Sequence, residues 1–343
     1  MSYEYERVAT PASGLRLHLN ENTAGCSPAV IEALRSLTRG QIAEYPDYDA
    51  AVEATAARLG VTVDSLLLTN GLDEGILMAA LLAFRATGGD AEGLVVVPAF
   101  DMYAACTDAT GGNVVEVPLG ERFEFPLERI LDTLSKRTRI VWLTNPNNPT
   151  GQSIPREAIH QVAASAPDAI IFVDEAYADF AGTTLIGDAL LRDYSRVVVG
   201  RTFAKAYGLA GIRAGAVIGH PETIAALRRM TPPYSLNVCA AAALPAAFAD
   251  RAYYDWYVDQ VSQSRALLYQ GFDRLGVRYW KSDANFVLAR FDGRGPQIAS
   301  ALASRGVHVR DRSNDEGCAD CLRVTAGVVE HTREFLAALE SAL

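Results

Sequence analysis

Four short segments hold the residues whose types could do chemistry, and each follows an apolar run. Lys205 lies in Arg201-Thr202-Phe203-Ala204-Lys205-Ala206-Tyr207-Gly208-Leu209-Ala210-Gly211-Ile212-Arg213, after Val197-Val198-Val199. A lysine amine among small and apolar neighbours is a nucleophile that forms an imine with a carbonyl. The fork of donors on Arg213 matches phosphate oxygens. A carbonyl compound carrying a phosphate would use both, and pyridoxal phosphate is such a compound. Alone, the stretch reads equally well as a glycine turn with solvated Lys and Arg.

The other three segments bear on that choice. Asn70-Gly71-Leu72-Asp73-Glu74-Gly75 follows Leu66–Thr69 and opens an amphipathic helix. Free N–H groups at a helix start behind a glycine turn cradle phosphate; a capped helix with two dipole-favoured acids is the plainer alternative. In Asn145-Pro146-Asn147-Asn148-Pro149-Thr150-Gly151, two prolines and a glycine hold Asn148 rigidly at a strand end, able to donate to a ligand oxygen; a merely structural turn is the alternative. Phe172-Val173-Asp174-Glu175-Ala176-Tyr177 puts two acids after a buried strand. Asp174 can keep a proton on a pyridine nitrogen, which makes that ring an electron sink, and Tyr177 can donate to the ring's phenolate oxygen. Helix-capping acids are the competing reading there.

Asn-Pro-x-Asn-Pro-Thr-Gly, Asp-Glu-Ala-Tyr, the later lysine and Gly-x-Arg, in this order, resemble the fold-type I pyridoxal phosphate (PLP)-dependent aminotransferases. Asn20-Glu21-Asn22, Ser27-Pro28, Tyr45-Pro46-Asp47, Asp73-Glu74-Gly75, Val309-Arg310-Asp311-Arg312 and Cys321-Leu322-Arg323-Val324-Thr325 extend the resemblance along the chain, toward the histidinol-phosphate aminotransferases. The resemblance implies that Lys205 forms the imine with the cofactor and moves the proton between substrate and cofactor carbons. It implies Asp174 on the ring nitrogen, Asn148 and Tyr177 on the ring hydroxyl, and Phe100 stacked on the ring. Arg213, Thr202 and the turn Gly71-Leu72-Asp73 would hold the phosphate. Tyr45 would reach it from a second subunit, so a homodimer with shared active sites is implied. Arg323 would bind an amino acid's carboxylate and, in this family, also the phosphate of histidinol phosphate, helped by Arg310, with Asn22 alongside. Packed, turn or solvated roles remain the alternatives for Tyr45, Asn22 and Arg310.

The reaction implied is transamination from histidinol phosphate, a small-molecule amino donor, to 2-oxoglutarate, a 2-oxo acid acceptor. The alternative is a PLP enzyme of the same fold acting on an aromatic or other amino acid, or a PLP-dependent decarboxylase or amino acid-modifying enzyme. The chain departs from the family pattern at Ala204, where a serine is common, and at Phe100, where a tyrosine is usual. Thr23-Ala24 replaces the commoner Pro-Tyr, and the arm around Val8–Gly14 lacks a tyrosine.

The elements that must position these groups are legible too. Continuously apolar runs at Leu66–Thr69, Leu94–Val97, Val114–Val117, Ile140–Leu143, Ile170–Val173, Val197–Val199 and Ala214–Ile218 read as strands covered on both faces. Helical runs at Asp73–Phe84, Leu127–Leu134 and Pro155–Ala166 alternate with them. The fold class expected is α/β: a three-layer domain with a mostly parallel sheet, plus a smaller α+β domain. In such sheets ligands bind beyond the carboxyl ends of the strands. The boundaries expected are an arm over 1–30, a large domain over 31–245 and a small domain over 246–343.

Composition reads as that of a soluble globular protein. Half of the 343 residues are apolar and the formal net charge is −10. That weighs against nucleic acid or an anionic membrane as partner. The longest apolar run, Ile76 to Phe84, is too short to span a bilayer. The opening residues lack a signal-peptide core, so a cytoplasmic location is expected. Five scattered cysteines fit a reducing compartment. Cys318-Ala319-Asp320-Cys321 has no second pair to complete a metal site and is expected to pack; no metal is expected.

Overall fold

The computed structural model describes residues 11–87 and 89–343; Val8–Thr10 of the arm lie outside the described residues. The described chain opens with a short strand, β1 (Leu15–Leu17), inside the stretch expected as an arm; no strand is expected there from the sequence. The larger sheet then takes β2 (Leu66–Thr69), β3 (Glu92–Val97), β4 (Asn113–Pro118), β5 (Thr138–Thr144), β6 (Ile170–Asp174), β7 (Val197–Thr202) and β8 (Gly215–Gly219). Their order is β2-β8-β7-β6-β5-β3-β4. The neighbours from β7 through β4 pair in parallel, and β8 runs antiparallel to both β7 and β2.

This sheet is buried on both faces, which is why its strands read as unbroken apolar runs. Ile140–Leu143, Ile170–Val173 and Val197–Val199 are at most 1% exposed. Alternation sends Ile140, Trp142, Phe172 and Val198 to one core, with Ile76 and Ala80 of the helix Leu72–Phe84. Val141, Leu143, Val173 and Val199 enter the other core, with Ile159 and Val162 of the helix Arg156–Ser165. Each such side chain contributes about 1.5–3 kcal/mol by leaving water. The two cores clamp the strands, so their carboxyl ends present fixed positions to the loops.

The smaller sheet adds β9 (Arg278–Tyr279), β10 (Phe286–Arg290), β11 (Val307–Asp311) and β12 (Cys321–Thr325), in the order β1-β11-β12-β10-β9. β1 pairs in parallel with β11, Leu15 opposite Val307, so the start of the described chain is built into a sheet otherwise made from its end. β11 and β12 set Arg310 directly opposite Arg323. The helix Arg251–Leu275 packs behind; Asp250 accepts the Tyr253 N–H at its start, and left-handed Gly276 ends it. Ser27-Pro28 opens the helix Pro28–Arg35, with the Ser27 hydroxyl accepting the Ala29 N–H and the proline in the first turn.

Candidate active site

The site begins where the parallel strands stop. Asp174 is the last residue of β6, Thr144 of β5 and Thr202 of β7. The sequence suggests that β7 ends at Val199; it runs to Thr202, because Arg201 and Thr202 keep pairing with Ala216 and Gly215 of β8. A cavity of about 420 Å³ opens at this edge, closed from the other side by β11 and β12. Phe100, Asn148, Asp174, Tyr177, Thr202, Lys205, Arg213, Arg310 and Arg323 all line it, as do Leu72 and Asp73. Residues far apart in sequence thus meet in one place.

Asp174 is 3% exposed. Its Oδ2 accepts from the Tyr103 hydroxyl at 2.7 Å, and its Oδ1 from the Ala176 N–H at 2.8 Å. Burial pushes its carboxyl up to about 6; the two donors oppose that, and the nearby Asp73 and Glu175 carboxylates add to it. No cation pairs with it among the described residues. A buried carboxylate of this kind, facing a cavity, fits a ligand that brings its own N–H⁺.

The half-buried Lys205 donates from Nζ to the Leu19 carbonyl at 3.0 Å, with Nζ 5.9 Å from the centre of the Tyr177 ring. The Tyr177 hydroxyl accepts from the Asn20 amide at 3.0 Å, which leaves its own proton free to donate. Arg323 donates one guanidinium nitrogen to Asn148 Oδ1 and the other to the His18 carbonyl at 2.7 Å. Because the Asn148 oxygen is used, its N–H₂ is the side left for a ligand.

The phosphate end is backbone-built. Gly71 precedes the helix Leu72–Phe84 with φ +77, and no side chain caps that helix start. The turn lies against Gly215, where a Cβ would come within 2.6 Å of the Leu72 nitrogen. A Cβ on Gly71 would meet Arg213 Nη2 at 2.4 Å. Two glycines therefore let backbone N–H groups and Arg213 converge. Here Arg213 donates to Asp73 Oδ2 at 2.8 Å, and Thr202 Oγ1 accepts the Ala204 N–H at 3.2 Å.

Three arginines stand on the β11–β12 side. Arg323 is 5% exposed, and burial, reinforced by Arg312 and Arg310 against the pull of Tyr177 and Asp315, pushes it down to about 10; it stays charged at neutral pH. Arg312 is buried and ion-paired with Asp315. The Arg310 side chain makes no hydrogen bond or ion pair with the described residues. Such a cluster favours a multiply charged anion.

Three expected residues do not line this cavity. Asn22 is buried beside it, donating to the Ala206 carbonyl at 3.1 Å. Gly71 contributes through its turn. Tyr45 is 77% exposed and stacks on Tyr234 at 4.2 Å. Sequence reasoning gave no role to Tyr103, Asn20 or Arg312. Tyr103 is hidden inside the helix Met102–Ala109, where a buried tyrosine reads as core; Asn20, with φ +55, signals a tight turn but not its partner. Cys318 and Cys321 are buried with Phe123, Trp280 and Leu288, and no His/Cys/Asp/Glu cluster among the described residues could hold a metal.

The fold is that of a PLP-dependent transferase. It matches histidinol-phosphate aminotransferase from Sinorhizobium meliloti, solved in complex with pyridoxal-5'-phosphate, at TM-score 0.85 and 24% identity, covering 96% of this chain and 90% of that one. Residues 12–339 match the model of the family "Aminotransferase class I and II", and the chain belongs to that family. It is 35% identical to histidinol-phosphate aminotransferase of Anaeromyxobacter sp. (strain Fw109-5), over 98% of this chain and 93% of the relative. It is 36% identical to that of Symbiobacterium thermophilum, over 96% and 90%. The protein is a PLP-dependent aminotransferase. Asp174 without a cation partner, the glycine cradle and the Asn148 N–H₂ fit that cofactor. No helix among the described residues is long and apolar enough to cross a membrane.

Proposed function

We propose that this chain moves the amino group of histidinol phosphate to 2-oxoglutarate, within a cytoplasmic homodimer. The observation that carries the substrate is the group of three guanidinium side chains, Arg310, Arg312 and Arg323, on one wall of the cavity. Both proposed substrates bring an anionic end to that wall: a phosphate dianion on the donor, a second carboxylate on the acceptor. The names of the relatives point the same way.

Asp174 pairs with the cofactor's ring N–H⁺, Asn148 and Tyr177 donate to the ring oxygen, and Phe100 covers the ring face. Thr202, Arg213 and the backbone of Gly71-Leu72-Asp73 hold the phosphate, and the exposed Tyr45 of a second subunit completes that grip. When bound, the cofactor supplies the electron sink for the donor carbon. Lys205 carries the cofactor at rest, then takes the proton from the donor carbon and delivers it to the cofactor side. Arg323 and Arg310 hold the anionic end, with Asn22 beside it. The domain division at about 245, with an arm over 1–30, belongs to the same proposal; β1 ties that arm to the smaller sheet.

The test compares phosphorylated and unphosphorylated histidinol as donors, with 2-oxoglutarate as acceptor. The phosphate should raise kcat/KM by about a hundredfold, and Arg310→Gln should erase most of that preference. Equal turnover of the two donors, or turnover of aromatic amino acids alone, defeats the proposal.

A further inference from the structure

We propose that Tyr103 is a positioning residue: its hydroxyl holds the Asp174 carboxylate in the orientation and charge state that receive the cofactor's ring N–H⁺. This rests on the pairing of Asp174 with that ring nitrogen.

Tyr103 is 1% exposed and fixed from several sides. Its ring stacks on Trp142 at 5.4 Å and 20°, and Trp142 is itself anchored by donating Nε1–H to Thr107 Oγ1 at 3.0 Å. Its oxygen accepts from Thr144 Oγ1 at 3.1 Å, so its own proton is directed at Asp174 Oδ2, 2.7 Å away. Phe100 meets its edge at 5.8 Å and 86°, so the same side chain backs the wall proposed to cover the ring.

The chemistry of the donor is as telling as its position. Burial, with the Asp174 charge adding to it, keeps the phenol well above its usual range, so it remains a neutral donor at working pH. A neutral donor stabilises a carboxylate without cancelling its charge, and that charge is left for the cofactor. A lysine or arginine there would have spent it. The other groups facing Asp174 are Asp73, from the start of the helix Leu72–Phe84, and the adjacent Glu175, and both oppose its ionisation. Tyr103 and the Ala176 N–H are what offset them, and only Tyr103 does so through a side chain.

The test is the pH dependence of PLP affinity, measured by equilibrium dialysis of the apoprotein from about pH 5 to 8. Affinity should fall as Asp174 takes up a proton. Losing a hydrogen bond to a charged group should move that midpoint upward by about one unit in Tyr103→Phe, which keeps the stacked ring. Thr144→Val, which weakens the Tyr103 donor, should move it the same way by less. With natural substrates, Tyr103→Phe should lower kcat more than it changes KM. A folded Tyr103→Phe whose midpoint stays at the wild-type pH overturns the proposal; should that variant not fold, an unmoved Thr144→Val does so. Asp174→Asn separates the two readings. If it leaves the affinity profile as in wild type, the pairing of Asp174 with the ring fails. If it flattens the profile while Tyr103→Phe does not move it, only the role of Tyr103 fails.

Discussion

Asp174 and Lys205 face the same cavity with opposite needs. Asp174 is buried without a cation and so carries a cost in the apoprotein. Its folded carboxyl lies near 6, above its ordinary 3.8. The stability it contributes is therefore full below about pH 4 and is lost as pH rises through about 6. Replacing it with Asn should remove up to about 3 kcal/mol of that pH-dependent destabilisation at neutral pH. Urea unfolding of the two apoproteins at about pH 4 and pH 7 measures this. A wild-type-minus-variant difference that stays constant with pH contradicts it. For Lys205, borohydride reduction of the holoprotein followed by peptide mass analysis should find the cofactor on the peptide containing Lys205. Lys205→Ala should lose both that adduct and turnover. These two residues were legible because their neighbours in sequence carry the pattern. Tyr103 and Asn20 were not, because their roles depend on partners at Asp174 and Tyr177 that only the fold brings near.

At the scale of elements, the strands were readable because each is covered twice and so is apolar throughout. The runs Ile140–Leu143 and Ile170–Val173 needed no partner to be recognised, and the loops after them were expected at the carboxyl edge. β1 was not readable: three residues pair with a strand whose sequence lies nearly the whole chain away, and nothing local in Leu15-Arg16-Leu17 announces that. The end of β7 was missed for a related reason, since the polar Arg201 and Thr202 stay in the ladder through pairing with β8. The turn at Gly71 depends on close backbone approach to Gly215. Gly215→Ala would thrust a methyl group to 2.6 Å from the Leu72 nitrogen and 2.7 Å from the Gly71 carbonyl carbon. The turn must move, at a cost of about 1–3 kcal/mol. PLP affinity should fall well beyond what the loss in melting temperature alone suggests; unchanged affinity would count against the cradle.

For the whole molecule, one buried charge network joins the layers. Arg201 on β7 pairs with Asp179 at 2.9 Å and with Glu175 at 3.4 Å, and Asp179 also accepts from Tyr254 of the helix Arg251–Leu275 at 2.7 Å. Asp179→Ala removes the shorter of the two ion pairs and leaves Glu175 as the guanidinium's remaining buried counter-charge, so it should cost up to about 3 kcal/mol, read from denaturant unfolding. The exposed Tyr45–Tyr234 pair, in contrast, contributes little to a lone chain and awaits the proposed second subunit. The proposed transamination uses the arginine-lined cavity of the assembled enzyme. The most direct measurement follows glutamate formed from 2-oxoglutarate when purified holoenzyme is given histidinol phosphate as the only amino donor. Sustained glutamate formation at a rate matching donor consumption is the result expected. No glutamate with histidinol phosphate, while another amino donor supports turnover under the same conditions, would contradict it.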